Sequence, residues 1–255
     1  MARLEVEERN SCQPARGLPP TSIGDALVIV AKFPEAHEVK TRLGASIGYE
    51  NAAQLYRAFL RDLSERFSAA QATASYHLYW SCVPSIRVLT TVIGPDAAIL
   101  PQRGKEFADR LYNISLDAAA AGYQRLVIMG SDSPQLPPSV VRESFDRLDE
   151  RDVVVGPADD CGYYLIGLHL YPEPPNLFSG IRMSTSLVLA ETLIRAADLD
   201  CSVALLAPAF DVDEVTDLPR LQHALHQPGA QKAPCTVREL QRLGELNLFA
   251  LDGRS

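Results

Sequence analysis

Short, continuous apolar runs alternate in this chain with segments of helical periodicity, and this alternation constrains the fold more than any other feature. The first run, ALVIV at 26–30, contains no polar residue, as expected for a strand that is covered on both faces. Residues 51–67 then place apolar side chains three and four positions apart, which is typical of an amphipathic helix. Strands that alternate with helices in this way predict βαβ units and a mainly parallel sheet.

The same alternation continues along the chain. We predict strands at 26–30, 76–82, 125–130, 152–157, 163–168 and 202–208. We predict helices at 51–67, 104–121, 137–148, 186–197, 217–225 and 236–249. Residues 85–93 are ambiguous, and we favour a helix because Gly94-Pro95 would end it. The expected organisation is one α/β domain at 25–226, preceded by a flexible arm at 1–24 and followed by a linker and C-terminal helix at 227–255.

Composition excludes some classes of function. The chain has 255 residues, a formal net charge of −8 and a pI near 5.2, which disfavours binding to nucleic acid because the phosphate backbone would repel such a surface. No apolar run reaches 18 residues, and the first ten residues are too charged for a signal peptide, so no membrane span is expected. Five scattered cysteines form no CxxC pair, which favours reduced thiols in a cytoplasmic protein: Cys12, Cys82, Cys161, Cys201 and Cys235.

The loop after the first strand is basic although the chain is acidic. Residues 31–43, AKFPEAHEVKTRL, carry Lys32, Lys40 and Arg42. Ligands of parallel sheets bind at the carboxyl ends of the strands, so these cations could hold a diphosphate. They could equally belong to a solvated loop and pair with Glu35 and Glu38. The GxxxxGK[ST] pattern of a Walker loop is absent.

Carboxylates follow the later strands. In GSDSP, at 130–134, Asp132 stands where a hard cation could bridge diphosphate oxygens, although it could also form an Asx turn or cap the next helix. In GPADDCGYYLIGL, Asp160 could position an acceptor hydroxyl or act as a general base, or it could simply belong to a hairpin turn. In FDVDEVTDL, Asp211 and Asp213 share one side of an extended segment, and either could approach a metal. The alternative is a cap for the helix at 217–225, for which Thr216 and Asp217 are the better candidates. Cations and carboxylates at one sheet edge suit the activation of a nucleoside diphosphate leaving group.

A known bacterial family resembles this chain in six stretches, which follow the family's order: VIVAKFPEAHEVKTRLG, LPQRGKEFADRL, VIMGSDSPQLPP, VVVGPADDCGYYLIGL, LFSGIRMSTSLVLAETL and FDVDEVTDL. The family consists of proposed GT-A-type glycosyltransferases, formerly described as a domain of unknown function (DUF2064) and associated with arsenosugar-type gene clusters. It is also similar to small nucleotidyltransferases, including the phospholactate guanylyltransferases. The resemblance covers about residues 26–222. It implies a single-domain GT-A fold of the nucleotide-diphospho-sugar transferase superfamily, with a Rossmann-like, mainly parallel sheet flanked by helices.

The resemblance also implies roles for individual residues. Asp132 would correspond to the metal-binding aspartate of a DxD motif and Asp213 would hold a second metal position, with Mg²⁺ or Mn²⁺ as the cofactor. Asp160 and Asp132 would be the catalytic carboxylates. The nucleotide and its diphosphate would contact Lys32, Lys40, Arg42, Gln102, Gly104, Arg110 and Ser131. The sugar or the acceptor would contact Gly162, Tyr163, Ser184 and Thr185.

The sequence departs from the family's pattern on the sugar side. Cys161 stands where the family has glycine, which makes a positive φ costly there, and Met183 replaces a tryptophan. The leading hypothesis is metal-assisted transfer of a sugar from a nucleotide-diphosphate sugar to a small-molecule acceptor by a monomer or homodimer. Nucleotidyl transfer to a phosphorylated small molecule is an alternative that the Asp132/Asp213 pair favours. Nucleotide binding without turnover is a third, suggested by the departures.

Overall fold

A seven-stranded sheet forms the centre of the protein. The computed structural model describes residues 24–72, 74–83 and 86–249, so most of the predicted N-terminal arm lies outside the described residues. The strands are β1 (Asp25–Lys32), β2 (Tyr76–Val83), β3 (Ile99–Pro101), β4 (Arg125–Met129), β5 (Val153–Pro157), β6 (Tyr163–His169) and β7 (Val203–Leu205). Their order across the sheet is β3-β2-β1-β4-β6-β5-β7. The predicted α/β class is confirmed.

Helices flank both faces of this sheet. They are α1 (Thr41–Ile47), α2 (Tyr49–Gln71), α3 (Ile86–Ile93), α4 (Phe107–Ala120), α5 (Pro138–Leu148), α6 (Val188–Asp198), α7 (Asp217–His226) and α8 (Pro234–Glu245). The helix favoured at 85–93 is confirmed as α3. The sequence reading missed α1 and β3, and it began α4 three residues too early. No helix in the described part of the chain is long and apolar enough to span a bilayer.

The strand directions decide where the loops meet. β1 pairs in parallel with β2 and β4, whereas β6 runs antiparallel to both β4 and β5. The reversal arises because only a short turn, residues 158–162, joins β5 to β6, and a parallel connection would need a crossover of a dozen residues or so. The loops after β1, β2, β4 and β5 therefore lie at the same edge of the sheet.

Two hydrophobic layers cover the faces of the sheet. Along β1, Leu27 and Ile29 belong to one layer, while Ala26 and Val28 belong to the other, and all four are fully buried. Alternate residues of a strand point to opposite faces, so an unbroken apolar run is what a doubly covered strand requires. β1 is consequently a rigid base for the loop that follows it.

Helix α2 fixes two distant parts of the chain through buried polar side chains. The Asp62 carboxylate, 2% exposed, accepts hydrogen bonds from the backbone N–H groups of Cys235 (3.0 Å) and Thr236 (2.7 Å) in the first turn of α8. Arg66, one turn later, donates to the carbonyl oxygens of Pro134 (2.6 Å), Leu136 (2.8 Å) and Lys232 (2.9 Å). The loop after β4 and the start of α8 are thus held by the same helix.

Replacing Asp62 with Ala should lower the free energy of unfolding by roughly 1–2 kcal/mol, because two buried N–H groups of α8 lose their acceptor. Urea denaturation measures the loss, and amide exchange should accelerate at Cys235 and Thr236. Glu65→Ala is the matched control, since Glu65 lies exposed on the same helix and should change stability by less than about 0.5 kcal/mol. Equal losses in the two variants would contradict the capping role.

The turn between β5 and β6 holds a cysteine in a strained conformation. Cys161 has φ 68°, in the left-handed region that favours glycine. The positive φ agrees with the position of Cys161, which stands where the family has a glycine. The turn is fixed by hydrogen bonds from Ala158 N to Gly162 O (3.0 Å) and from Cys161 N to Ala158 O (3.1 Å). The side chain is exposed, so the strain comes from the backbone and not from packing.

Cys161→Gly should therefore stabilise the protein by about 0.5–1 kcal/mol, the left-handed penalty of a Cβ less the extra chain entropy of glycine. Thermal or urea unfolding would show the gain. Cys161→Ala is the control, because it removes the thiol but keeps the Cβ, and it should bring no stabilisation. A gain of the same size in both variants would assign the effect to the thiol and contradict the strain.

Candidate active site

A cavity of about 440 Å³ opens at the edge of the sheet where β1, β2 and β4 end. Its wall brings together most of the predicted site residues although they are far apart in sequence: Lys32, Lys40, Arg42, Gln102, Arg110, Ser131, Asp132, Ser184 and Asp213. The predicted Gly104, Asp160, Gly162, Tyr163 and Thr185 do not line it. The cavity therefore combines the basic loop after β1 with the carboxylates after β4 and before α7.

Lys40 is the central charge of this cavity. Its ammonium nitrogen lies 2.5 Å from Asp132 Oδ1 and 2.9 Å from Asp213 Oδ1, and its side chain is only 4% exposed. The residue precedes α1 in a left-handed conformation, φ 48°, and its carbonyl accepts the hydrogen bond of Gly44 N. The turn that starts α1 thus directs the lysine side chain toward the end of β4.

Opposite charges keep this cluster ionised. Burial acts to lower the pKa of Lys40, but the neighbouring carboxylates of Asp132 and Asp213 outweigh it, and the pKa is raised above the ordinary lysine value. For Asp213, burial acts to raise the pKa, and Lys40 and Arg42 outweigh it in turn, leaving the pKa below the usual range. At neutral pH the cluster is a set of fixed ion pairs.

Arg42 extends the cluster toward solvent. Its two terminal nitrogens bind Asp213 Oδ2 (2.5 Å) and Glu214 Oε1 (3.1 Å), and its side chain is 61% exposed. These partners lie on the segment before α7, so Lys40 and Arg42 bridge between loops instead of pairing with Glu35 and Glu38 of their own loop. Both oxygens of Asp213 are consequently engaged by cations.

Ser131 and Tyr56 tie β1 to β4 beneath the cavity. The Ser131 hydroxyl donates to the carbonyl of Val30 (2.9 Å) and lies 2.7 Å from the Tyr56 hydroxyl. Since Ser131 spends its only proton on Val30, Tyr56 is the donor in that second contact, and the Tyr56 oxygen accepts from Lys32 N (3.2 Å). Burial, and then the charge of Asp132, raise the pKa of Tyr56, so it stays a neutral donor. Ser131 has a structural use here, and its contact with a nucleotide stays a prediction.

Asp211 carries more weight than the sequence reading gave it. The backbone N–H of Val212 donates to the Asp132 carbonyl (3.0 Å), which places residues 211–213 beside the end of β4. The Ser133 hydroxyl donates to Asp211 Oδ1. Burial, and then the nearby Asp132 carboxylate, raise the pKa of Asp211 to about 6. The alternate spacing in FDVDEV placed both aspartates on one side, but the sequence could not show which of them would lose solvent.

The β5–β6 turn stands outside the main cavity. Asp160 Oδ1 accepts the N–H of Gly162 (2.9 Å), as suits the hairpin turn considered for this motif, and the carboxylate is exposed. Asp160 is still close enough to contribute to the raised pKa of Asp211. Burial raises the pKa of Tyr163 to about 12. The predicted substrate roles of Asp160, Gly162 and Tyr163 stay predictions.

A second cavity, of about 620 Å³, lies between the first turn of α4 and residues 176–184. It shares Phe107, Arg110 and Ser184 with the main cavity. Arg110 lies over the Phe107 ring at 5.6 Å and donates to the Lys105 carbonyl (2.8 Å). The shared residues make a continuous surface on which a ligand could extend from one cavity into the other.

Three of the predicted residues position the backbone around these cavities. Gly104 has φ 124°, and a Cβ there would stand 2.6 Å from the Asp109 Cβ, so a side chain would collide with the first turn of α4. Thr185 Oγ1 donates to the Arg182 carbonyl (2.8 Å) and accepts the Leu187 N–H (3.3 Å), which shapes the entry to α6. Gln102 Nε2 donates to the Ser81 carbonyl (3.0 Å) and anchors its loop to β2.

A divalent cation fits this donor set in one way. Within the described residues no group of three His, Cys, Asp or Glu side chains could hold a metal, and both Asp213 oxygens already bind cations. Asp132 is 44% exposed, and among these residues no side chain or backbone group is bonded to its second oxygen, Oδ2. Mg²⁺ commonly takes one or two carboxylates and completes its shell with phosphate oxygens and water. Asp132 suits that mode, and a second ligand at Asp213 stays a prediction.

Comparison with known proteins agrees with this architecture. A protein of Desulfovibrio desulfuricans G20, described as a candidate nucleotide-diphospho-sugar transferase, is similar at 30% identity and a TM-score of 0.79, over 88% of this chain and 97% of that one. A cytidylyltransferase of Leptospira borgpetersenii has 10% identity and a TM-score of 0.52, with 91% and 98% covered. The 4-diphosphocytidyl-2C-methyl-D-erythritol synthase of Anaerococcus prevotii has 10% identity and a TM-score of 0.51, with 80% and 98% covered. The last two share the fold alone.

The family comparison is consistent with the fold and with the first of these relatives. No curated protein matches the chain. The family model described as "Uncharacterized protein conserved in bacteria (DUF2064)" matches residues 62–185, a range that includes β4, the Asp132 loop and the β5–β6 turn. This match, together with the similarity of 88% of the present chain to the Desulfovibrio protein, shows that the chain belongs to the DUF2064 family and has the fold of the nucleotide-diphospho-sugar transferases.

Proposed function

We propose that the protein is a divalent-cation-dependent glycosyltransferase that moves a sugar from a nucleotide-diphosphate sugar to a small-molecule acceptor. The observation that carries the proposal is the wall of the 440 Å³ cavity, where Lys32, Lys40, Arg42 and Arg110 face the same space as Asp132. Four fixed cations beside one open carboxylate complement a diphosphate with its metal ion. The 30%-identical relative, described as a candidate nucleotide-diphospho-sugar transferase, supports the same chemistry.

The cations have a direct use in such a reaction. When the bond from the sugar to the diphosphate breaks, negative charge develops on the departing phosphate oxygen. Arg42 and Lys40 can stabilise this charge without giving up a proton, because the pKa of Lys40 is raised and an arginine stays protonated. Preorganised charges of this kind need no rearrangement of solvent as the reaction proceeds.

The metal would be held by Asp132. A bound Mg²⁺ or Mn²⁺ would supply further charge stabilisation at the diphosphate, and its remaining ligands would be phosphate oxygens and water. The buried hydrogen bonds of Ser131 with Val30 and Tyr56 keep the loop that carries Asp132 in place. The chain's own contribution is thus a rigid, partly open carboxylate.

The acceptor would approach from the second cavity or from the β5–β6 turn. The two cavities meet at Phe107, Arg110 and Ser184, so a sugar can extend out of the nucleotide pocket there. Asp160, exposed on the turn, is our candidate base for the acceptor hydroxyl. Burial and the Asp132 carboxylate raise the pKa of Asp211 to about 6, and Asp160 contributes to this shift, so Asp211 lies close to the turn. A carboxylate with a raised pKa near Asp160 supports placing the proton acceptor at the β5–β6 turn.

Nucleotidyl transfer from an NTP to a phosphorylated small molecule is the second candidate. The pairing of Asp132 and Asp213 through Lys40 favours it, because two carboxylates could place the metal at an α-phosphate once a phosphate has drawn Lys40 away from them. The same cavity would serve both reactions, since each acts on a phosphate bridge next to a nucleoside.

The two reactions release different products. In a thermal-shift screen of UDP-, GDP-, CDP-, ADP- and dTDP-sugars with Mg²⁺ or Mn²⁺, we expect one donor to raise the melting temperature by several degrees. We expect the same donor to release free nucleoside diphosphate in a turnover assay. Release of pyrophosphate from an NTP would instead establish the second candidate. Binding of nucleotides with no release from any donor would leave a binding protein without turnover and overturn both.

Asp132→Asn should lower turnover of the active donor by about 100-fold or more while the protein keeps its fold, because the neutral amide no longer offers a charged ligand to the metal. Product release and circular dichroism are the measurements. Asp149→Asn is the matched control: Asp149 binds Arg125 at the opposite end of β4, far from the cavity, and its loss should leave turnover unchanged. Full turnover in a folded Asp132→Asn protein would contradict the metal site.

A further inference from the structure

Lys40 already places a positive charge between the two carboxylates that the metal was expected to use. Its ammonium contacts Asp132 Oδ1 at 2.5 Å and Asp213 Oδ1 at 2.9 Å, and Arg42 takes the other oxygen of Asp213. The lysine side chain is 4% exposed, so water screens these contacts very little. In this state a metal ion would find one open oxygen on the pair, Oδ2 of Asp132.

We infer that Lys40 makes divalent-cation binding conditional on the nucleotide, so that the pocket takes up its ligand as the metal–nucleoside diphosphate complex and not metal first. The inference deepens the proposed function and rests on it for the identity of the nucleotide. It names the ligand species that the cavity accepts, and it gives Lys40 a positioning role beyond contact with phosphate.

The free protein offers too little to a hard cation. Mg²⁺ and Mn²⁺ need about six oxygen ligands, and one carboxylate oxygen plus water holds them weakly. A metal on Asp132 would also stand directly beside the buried ammonium of Lys40, and the two positive charges would repel each other. Asp213, the second expected ligand, would have to give up Lys40 or Arg42 first.

A nucleoside diphosphate changes this balance. Its phosphate oxygens bring negative charge into the cavity, where they can bind Lys40 and the metal at once. Lys40 lines the cavity and its ammonium stands at the end of a flexible four-carbon stem, so rotation about that stem can move it from Asp132 Oδ1 to phosphate. That move would free Oδ1 of Asp132, so that both oxygens of this carboxylate could hold the metal. Metal and nucleotide then raise each other's affinity, and by the same factor.

Mn²⁺ binding to the nucleotide-free protein tests Lys40 directly. Electron paramagnetic resonance of free Mn²⁺ gives the dissociation constant without any enzymatic readout. Lys40→Met should bind Mn²⁺ more tightly than the unaltered protein by a factor of about 5 to 150, the usual range for coupled sites. The double variant Lys40→Met/Asp132→Asn should return to weak binding, which locates the gained ion at Asp132. Urea denaturation checks that each variant is folded.

Lys32→Met is the matched control. Lys32 lines the same cavity, and among the described residues no ion pair joins it to Asp132 or Asp213, so the variant removes the same charge without uncovering a carboxylate. Its Mn²⁺ affinity should rise much less than that of Lys40→Met, because Oδ1 of Asp132 stays bound to Lys40. An equal gain in Lys32→Met and Lys40→Met, or tight Mn²⁺ binding by the unaltered protein alone, would overturn the inference.

A second titration uses only the unaltered protein and Lys40→Met. Mn²⁺ affinity is measured with and without UDP, GDP, CDP, ADP and dTDP, corrected for the complex that each forms with Mn²⁺ in buffer. The inference expects one nucleotide to raise Mn²⁺ affinity in the unaltered protein and to raise it much less in Lys40→Met; equal coupling in both would overturn it. If no nucleotide binds under any condition, the proposed function fails, while the comparison of Lys40→Met with Lys32→Met still decides the effect of Lys40.

Discussion

The contact of Lys40 with Asp132 and Asp213 is the interaction on which the arrangement of the site depends. It joins three segments that are distant in sequence: the loop after β1, the loop after β4 and the residues before α7. The carboxylates of Asp132, Asp211 and Asp213 converge at the end of β4, and they would repel each other without a cation among them. The lysine thus allows an acidic cluster to form at this edge of the sheet.

Part of the backbone strain of the described residues lies in loops near the candidate site. Lys40, Cys161 and Ser184 all have positive φ, at 48°, 68° and 63°, and they lie in three different loops at the same sheet edge. Such conformations persist only when the surroundings hold them, and they are frequent at functional sites. Here the hydrogen bonds of Gly44 N to Lys40 O and of Leu189 N to Cys161 O attach two of these residues to helices.

The sequence predicted most of the strands and helices, and it predicted the sheet edge at which most of the candidate site residues gather. Apolar runs such as ALVIV predicted the buried strands, and the parallel topology placed Lys40, Arg42 and Asp132 at one edge. α1 and β3, with seven and three residues, are too short for a periodic pattern to show. Pairings such as Lys40 with Asp213, 173 positions apart, depend on tertiary geometry that no local pattern contains. The same limit applies to Thr185, which was predicted to contact the sugar or the acceptor. Its hydroxyl makes hydrogen bonds to the backbone before α6, and the contact with substrate stays a prediction.

The contacts of helix α2 show that residues beyond the family resemblance help to support the candidate site. It carries Tyr56 beneath the cavity, and its next turns carry Asp62 and Arg66, whose partners include backbone groups at 232, 235 and 236. The family resemblance stops near residue 222, so a boundary drawn from sequence similarity would cut these contacts away. A chain shortened there would leave the buried Asp62 carboxylate and the partly buried Arg66 guanidinium without those partners. Both residues lie on α2, the helix whose Tyr56 contacts Lys32 and Ser131. The C-terminal segment thus supports the base of the candidate cavity indirectly, through α2.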